Sequence, residues 1–567
     1  MLTFFDFEVF KYDWLVVAIN PFEQKVFQIH NSRPELEALY KSHVKDIWIG
    51  YNSRAYDQYI LKGILLEMDP KEINDWIILY KHKGWEFSSL FNQIQLYTYD
   101  CMSKFHSLKQ LEAFMGNDIK ETSVPFDIDR PLTPDEILET FKYCQHDVEQ
   151  TMEVFNANKA DFDAHLNILK TFDLPIHHIS KTQAQLSALA LGCTKKEHFD
   201  EWDISIVDTL RINKYKEVIE WFMDPDNHDY SNKLKIDVAG VPHVFGWGGL
   251  HGAPDEPIHA SGLLLHVDVN SFYPSIMIEY NLLSRNVKDK SVYKKIYDTR
   301  LALKKAGKKA EQAPYKIILN STYGICKDPY NAAYDPRRAN EVCINGQLLL
   351  LDLIEHLEDH CKLIQSNTDG LIIQIPDTDE AFYLIDDICY EWESRTGMGL
   401  SLDVIKEIYQ KDVNNYVWID EDGNVERKGA YVKQLNDLDY DLAIVNEAMV
   451  NYMVNGVPVE STIYGCDDLR KFQKVFKVSN KYICGYHNGR RLQDKTFRVF
   501  ASRNNSDGFI GKVKMKKGVE VVEKFANSPE HCFIINGSVK EEVVPDHLDK
   551  KWYIELAKER LKQFGVI

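Results

Sequence analysis

The sequence predicts a multidomain chain of mixed α/β and α+β construction, and three observations carry that expectation. Its 567 residues exceed what one hydrophobic core holds, and ordinary domain sizes imply about three or four domains. The first third mixes strand-like runs, LTFFDFEVF and DIWIG, with a helical segment that opens on a capping signature at Thr133 and Glu136, which is the α/β pattern. The middle joins two apolar runs through NTDG, a hairpin signature, and adds two helical stretches that turn at Gly307, as in an antiparallel sheet carrying helices.

Composition narrows the function classes. With 44% hydrophobic and 27% charged residues the chain is ordinary globular protein, and no apolar run approaches a membrane span. MLTFFDFEVFKYDW carries acids where a signal peptide carries bases, so a cytoplasmic protein with no membrane partner is expected. Ten cysteines without a C-x-x-C pair argue against a disulfide framework, a zinc ribbon or an iron–sulfur module. A net charge of −19 disfavours nonspecific nucleic-acid binding, so a nucleic-acid partner would need local cations. Two runs offer them, Lys304, Lys305, Lys308 and Lys309, and Lys512, Lys514, Lys516 and Lys517, although such runs are as readily solvated faces.

In the N-terminal third, Asp6 and Glu8 stand two apart on a strand and share a face. At about 4 Å two such acids repel by roughly 4 kcal/mol at an effective dielectric of 20 unless a cation or a proton intervenes. An exposed edge strand with solvated acids accounts for them equally well. A second strand delivers Asp57 just beyond an Asn52–Tyr56 turn. On the helix that follows Thr133, of about five turns, Tyr143 and Asp147 are four apart on one face. Asp6, Glu8, Asp57 and Asp147 could thus form a nest for two divalent cations, with Tyr143 placed to orient a water. Hard oxygen donors select Mg2+ or Mn2+ over zinc.

In the middle, LLLHVDVNSFYPSIMIEY runs apolar into Asp268 and then turns sharply, while NTDG puts Asp369 at a hairpin tip. Between them, Arg300 and Lys304 are four apart on one helical stretch. Lys316, Asn320 and Tyr323 make a polar stripe on the next, a geometry for clamping a triphosphate between two helices. A solvated face remains the other account of Lys304.

These segments resemble family B DNA polymerases. DFE, NSRAYD and YCQHD are similar to the three proofreading-exonuclease motifs of that family, in its order, and HSLKQL resembles the segment with which its small phage replicases hold a single-stranded primer end. The resemblance therefore implies DNA contacts at Asn52, Tyr56, Ser107 and Leu108, although Ser107 and Leu108 fit an ordinary helix start equally well. DVNSFYPS resembles motif A. It implies metal ligation by the Asp268 side chain and the Val269 carbonyl, with Tyr273 as the steric gate that rejects a 2′-hydroxyl. KIILNSTYG matches motif B and assigns Lys316 to the phosphates and Asn320 and Tyr323 to the nascent base pair, with Arg300 and Lys304 as further phosphate candidates. NTDG resembles motif C, so that Asp268 and Asp369 would hold two magnesium ions, as the exonuclease acids would hold two more. The chain departs from the pattern at Asn367, where the family has an acid, at Gly246, where Y-x-G-G has its tyrosine before Gly248 and Gly249, and at Asn414, where K-x-Y has its lysine before Tyr416. Lys428 is the expected substitute there.

The implied organisation is a ribonuclease-H-like exonuclease domain over residues 1–165, a connector or accessory region over 166–260, and then a right-hand polymerase. Its palm covers 261–287 and 325–430, its fingers 288–324, and its thumb or C-terminal region 431–567. The implied function is primer extension with 3′–5′ proofreading in phage DNA replication, in the host cytoplasm. The partners are primer-template DNA and deoxynucleoside triphosphates, with a single-strand-binding protein or processivity factor compatible with a chain expected to be a monomer. Asp268 and Lys316 are 48 positions apart, and Asn320 and Asp369 are 49 apart, which leaves no room for the domain-sized insertions of the protein-primed branch. An ordinary nucleic-acid primer is therefore expected. An exonuclease with an inactive polymerase half and a nonenzymatic DNA-binding scaffold are the rival readings, and the intact set Asp268, Lys316, Asn320, Tyr323 and Asp369 argues against both.

Overall fold

The computed structural model describes residues 1–102 and 106–567. Among the described residues the chain is mixed α/β with four sheets. It divides into two compact units, one made of Met1–Lys181, Leu435–Ile444 and Gly465–Tyr553, the other of Thr182–Gln434, Val445–Tyr464 and Ile554–Ile567. All ten cysteines are free, and no helix among the described residues is long and apolar enough to cross a membrane.

The first unit is built on a five-stranded sheet in the order Lys25–His30, Trp14–Asn20, Leu2–Val9, Ile47–Gly50, Tyr97–Asp100. The first three strands are antiparallel and the last two join in parallel. WLVVAIN, apolar except at its last residue, is buried along its whole length, as a strand covered on both faces must be. The helix Pro134–Ala157 starts as its sequence requires, with Thr133 Oγ1 accepting from the Glu136 N–H at 3.3 Å and proline in the first turn. At 24 residues it runs past the five turns expected, because Val148, Thr151, Val154 and Phe155 continue its buried stripe. The next helix, Lys159–Thr171, crosses residue 165, and the tail beyond it returns to the sheet, where Ser180 Oγ accepts from the Thr98 N–H at 3.0 Å.

Residues 465–553 add a three-stranded and a four-stranded sheet to this unit. Arg498, fully buried, ties them in. It donates to the carbonyls of Ala113 (3.0 Å), Asn117 (2.8 Å) and Gly537 (2.7 Å) and to Gln473 Oε1 (2.9 Å). Burial pulls this guanidinium down to about 10, against the opposing pull of Asp118 and Glu112. The lysine run on the four-stranded sheet is a weaker source of cations than its sequence implies, because Lys512 and Lys514 both pair with Glu523.

The second unit carries a nine-stranded antiparallel sheet. From one edge the order is Val425–Lys428, Asn415–Asp420, Leu400–Asp412, Ile258–Val269, Gly370–Gln374, Lys362–Ser366, His251–Gly252, Val241–Gly246, Lys233–Val238. The helices Ser291–Lys305 and Lys309–Lys327 turn at Gly307, whose φ of +70° suits glycine. The helix Pro336–Leu357 is buried on nearly all faces. Part of the stretch without readable motifs explains how. The Ser205, Val207, Arg211 and Asn213 N–H groups donate to Glu341 (3.1 Å), Asn345 (2.9 Å), Asp352 (2.5 Å) and Glu355 (2.7 Å). A strap of irregular backbone thus donates to a row of polar side chains along one helix face, two of which, Glu341 and Asp352, also pair with arginines.

Candidate active sites

The first unit gathers acids from three elements. Asp6 and Glu8 lie on the strand Leu2–Val9, Asp57 opens the helix Asp57–Leu65, and Asp147 lies on Pro134–Ala157. The Phe7 N–H donates to Asp57 Oδ1 at 3.1 Å, which sets Asp57 between the two strand acids along the backbone. Glu8 and Asp57 are buried, Asp6 partly so. Burial first, then repulsion from the neighbouring acids, raises Asp6 and Glu8 well above the carboxylate range. Burial likewise pushes Asp57 up to about 7. Acids that strain against their own charge in this way fit a divalent cation.

Three neighbours were not foreseen from the sequence. Lys109 donates to Asp147 at 2.7 Å and to the fully buried Glu112 at 3.0 Å, and its ammonium lies 4.9 Å from the centre of the Tyr143 ring. Cys144 Sγ approaches the Asp6 carbonyl at 3.4 Å. Asp100, at the end of its parallel strand, accepts from the Asn52 and Arg54 N–H groups at 2.9 Å each, which fixes the turn bearing Asn52 and Tyr56. Lysine three before an acid on a helix start is too common a pattern to single out Lys109. Ser107 and Leu108 have local work: Ser107 N–H donates to Gln110 Oε1 at 3.1 Å, and Leu108 packs against the core that holds Leu111 and Phe114.

In the second unit, Asp268 lies on Ile258–Val269 directly opposite Gly370 and, on the other side, Ser401. The Val269 N–H donates to the Asp369 carbonyl at 2.8 Å, so Asp268 and Asp369 are neighbours across the sheet. A Cβ at position 370 would come within 2.8 Å of the Val267 carbonyl and 3.4 Å of Asp268 Oδ1. Glycine there keeps the two strands close beside the acid. Burial first, and then Asp369 and Asp403, push Asp268 up to about 6, while Lys304 pulls the other way.

Both acids line each of two cavities. One, of about 420 Å³, is walled by Val269, Ser271, Tyr273, Asn320, Tyr323 and Thr368. The other, of about 270 Å³, is walled by His266, Asn367, Tyr416, Trp418, Glu426 and Lys428. The Tyr273 and Tyr323 rings meet at 4.6 Å, and a Cβ on Gly346, in the buried helix, would sit 3.2 Å from the Tyr273 ring. Arg300 donates to Ser271 Oγ at 2.6 Å, and Ser271 holds a left-handed φ of +50° at the mouth of the helix Phe272–Glu279. Lys304 and Lys316 are exposed and outside both linings.

Tyr416 and Lys428 face each other on adjacent strands, with the Lys428 ammonium 5.6 Å from the ring centre. Asn367 Oδ1 accepts from the Thr368 N–H at 2.9 Å. The glycine pair splits in its surroundings. Gly248 has open space where a Cβ would go, whereas a Cβ on Gly249 would collide with Thr368 in the turn that carries Asp369.

No family model matches the chain, and no curated protein matches it. Among solved structures it is similar to the family B DNA polymerase from the hyperthermophilic archaeon Pyrobaculum calidifontis, with 13% identity and a TM-score of 0.41 over 100% of this chain and 77% of that one.

Proposed function

We propose that the chain is a DNA-directed DNA polymerase of the family B kind with a 3′–5′ proofreading exonuclease, of the small phage type and without the insertions of the protein-primed branch. The observation that carries this reading is that Asp268 and Asp369 stand together at the junction of two cavities. Two substrates can meet at that pair of acids. The five-stranded sheet with its acid nest supports the ribonuclease-H-like exonuclease half, and the antiparallel sheet with two helices turning at Gly307 supports the palm and fingers.

In this reading the larger cavity takes the incoming nucleotide. Tyr273, backed by Gly346 and Tyr323, presents its ring to the sugar and refuses a 2′-hydroxyl. Asn320 and Tyr323 border the nascent base pair, while Arg300, Lys304 and Lys316 meet the phosphates at its rim. The smaller cavity takes the primer end, with Tyr416 against the sugar and Lys428 against a phosphate, and Gly248 and Gly249 adjoining the template strand. Asp268, Asp369 and the Val269 carbonyl would hold two Mg2+ (or Mn2+) ions, and Asp6, Glu8, Asp57 and Asp147 two more. Such ions supply activation of the attacking oxygen and neutralisation of the developing phosphate charge. In the exonuclease half, Tyr143 orients the attacking water, and Asn52, Tyr56, Ser107 and Leu108 hold the frayed 3′ end.

The segments between Asp268 and Lys316 and between Asn320 and Asp369 are filled by the helices already described and one strand. Their lack of a domain-sized insertion supports extension of an ordinary nucleic-acid primer. Incubating a labelled primer-template with the protein and Mg2+ tests the reading: extension is expected with nucleotides present and shortening without them. Shortening in both conditions would favour an exonuclease with a silent polymerase half, and binding without any change of length would favour a scaffold.

A further inference from the structure

Residues 75–93 of the first unit form an irregular arm between the helix Pro70–Asn74 and the strand Tyr97–Asp100, made of a π-helical turn, Asp75–Leu79, and two short 3-10 turns. Three of its apolar side chains anchor it. Ile77, Phe87 and Phe91 join the core around Tyr59 and Trp48. Gly84 lies so flat against the Tyr59 ring that a Cβ there would collide with it. Five others are exposed. Leu79, Tyr80 and Trp85 are each more than 60% exposed. Trp76 stacks on His82 at 4.1 Å and donates to the Lys83 carbonyl at 3.1 Å. The exposure therefore belongs to a braced arm.

Two features identify what the outward face fits. The stretch YKHKGW places Lys81, His82 and Lys83 between two exposed aromatic rings, and the arm's two acids are Asp75, which pairs with Lys71, and Glu86, in a chain of net charge −19. Glu86 is itself turned to the Lys83 N–H at 3.0 Å. The arm is also wired to the acid nest. Tyr56, immediately before Asp57, donates its hydroxyl to Asn74 Oδ1 at 2.7 Å, and Tyr59, under Gly84, lies on the helix that Asp57 opens. Aromatic faces alternating with cations suit unpaired bases and their phosphates, whereas a protein-docking face would not need the lysines.

We propose that Tyr80, Lys81, Lys83 and Trp85 form a platform for single-stranded nucleic acid that leads toward the Asp6–Glu8–Asp57–Asp147 centre. The proposal rests on the exonuclease reading. It predicts that strand length matters: a strand long enough to reach the arm gains contacts that a trinucleotide lacks.

The test follows degradation of oligo-dT of three and twelve nucleotides in Mg2+ by the full chain, by Tyr80→Ala/Trp85→Ala and by Lys81→Ala/Lys83→Ala, with primer extension as a second readout. The aromatic pair is expected to raise KM for the 12-mer about tenfold or more, the loss of one stacked base, at unchanged kcat, and to leave the trinucleotide and primer extension as they were. The lysine pair is expected to lower the salt slope of 12-mer binding, measured without divalent ions, by about 1.4, at about 0.7 for each single-strand phosphate contact. Equal KM values for wild type and both variants on the 12-mer would overturn the platform and leave the exonuclease reading intact. No degradation by the wild type would overturn that reading and the proposal with it. A change in sedimentation of the variants with unaltered DNA kinetics would assign the face to a protein contact and overturn the nucleic-acid assignment.

Discussion

The two acid centres differ in how far each is finished without a metal. In the first unit four acids from three elements crowd a largely buried nest, and Lys109 already lends its ammonium to Asp147. In the second, Asp268 is half-buried, Asp369 is exposed, and the pair opens onto two cavities. The closed nest suits the hydrolysis of one strand. The open pair suits the joining of two reactants. Burial with like charge raises Asp6 and Glu8 in the nest well above the carboxylate range and Asp268 in the open pair up to about 6.

The largest expected effect is a clean separation of activities. Asp6→Ala with Glu8→Ala should lower primer shortening by about 10³-fold or more while extension stays near wild type, since ligands worth several kcal/mol are lost at one centre only. Asp268→Ala should do the reverse. A variant that loses both activities while still folded would contradict the assignment of one reaction to each unit.

Next in size is a response to pH. Asp57 holds its proton in the folded chain up to about pH 7 and releases it near pH 4 when unfolded. The folded state therefore binds more protons between those values. Without metal, stability should fall as pH rises through that window, by up to about 1.4 kcal/mol per pH unit for one such carboxyl. Thermal unfolding should show Mg2+ raising Tm more at pH 7.5 than at pH 5, and Asp57→Asn should flatten the metal-free dependence. A metal-free Tm that climbs steadily from pH 4 to 7 would contradict the strained nest.

Under the proposed reading, the second unit should respond to shape. Tyr273→Val should raise ribonucleotide incorporation about tenfold or more relative to deoxynucleotides. Gly346→Ala, whose new methyl presses the Tyr273 ring from below, should tighten that selection and raise KM for deoxynucleotides a few-fold. An unchanged ratio in both variants would remove the ring from the sugar pocket.

The smallest difference separates two adjacent glycines. Gly249→Ala must displace Thr368 and should lower extension several-fold, whereas Gly248→Ala meets open space and should cost less. Equal losses would mean that both act through DNA rather than through the Asp369 turn.

Local pattern marked the elements that carry the candidate site residues, and the resemblance to family B motifs gave those residues their expected roles. The strand with Asp6 and Glu8, the capped helix with Tyr143 and Asp147, the two helices turning at Gly307 and the NTDG hairpin are all written in short-range periodicity, caps and turn residues, which need no knowledge of partners. The mixed α/β class followed from the same signals. What the sequence could not settle were interactions between positions distant along the chain. Glu341, Asn345 and Asp352 read as ordinary polar helix residues until the strap from Ser205 to Asn213 brings backbone donors to them. Lys109 gains its place only when Asp147 arrives beside it, 38 residues later. Residues 465–553 belong to the N-terminal unit, where Arg498 finds its carbonyl acceptors at Ala113 and Asn117, and no periodicity encodes that choice. The acids were visible in the sequence because their chemistry is local; their pKa values, cavities and neighbours were not, because burial and Coulomb interactions depend on what folding brings alongside.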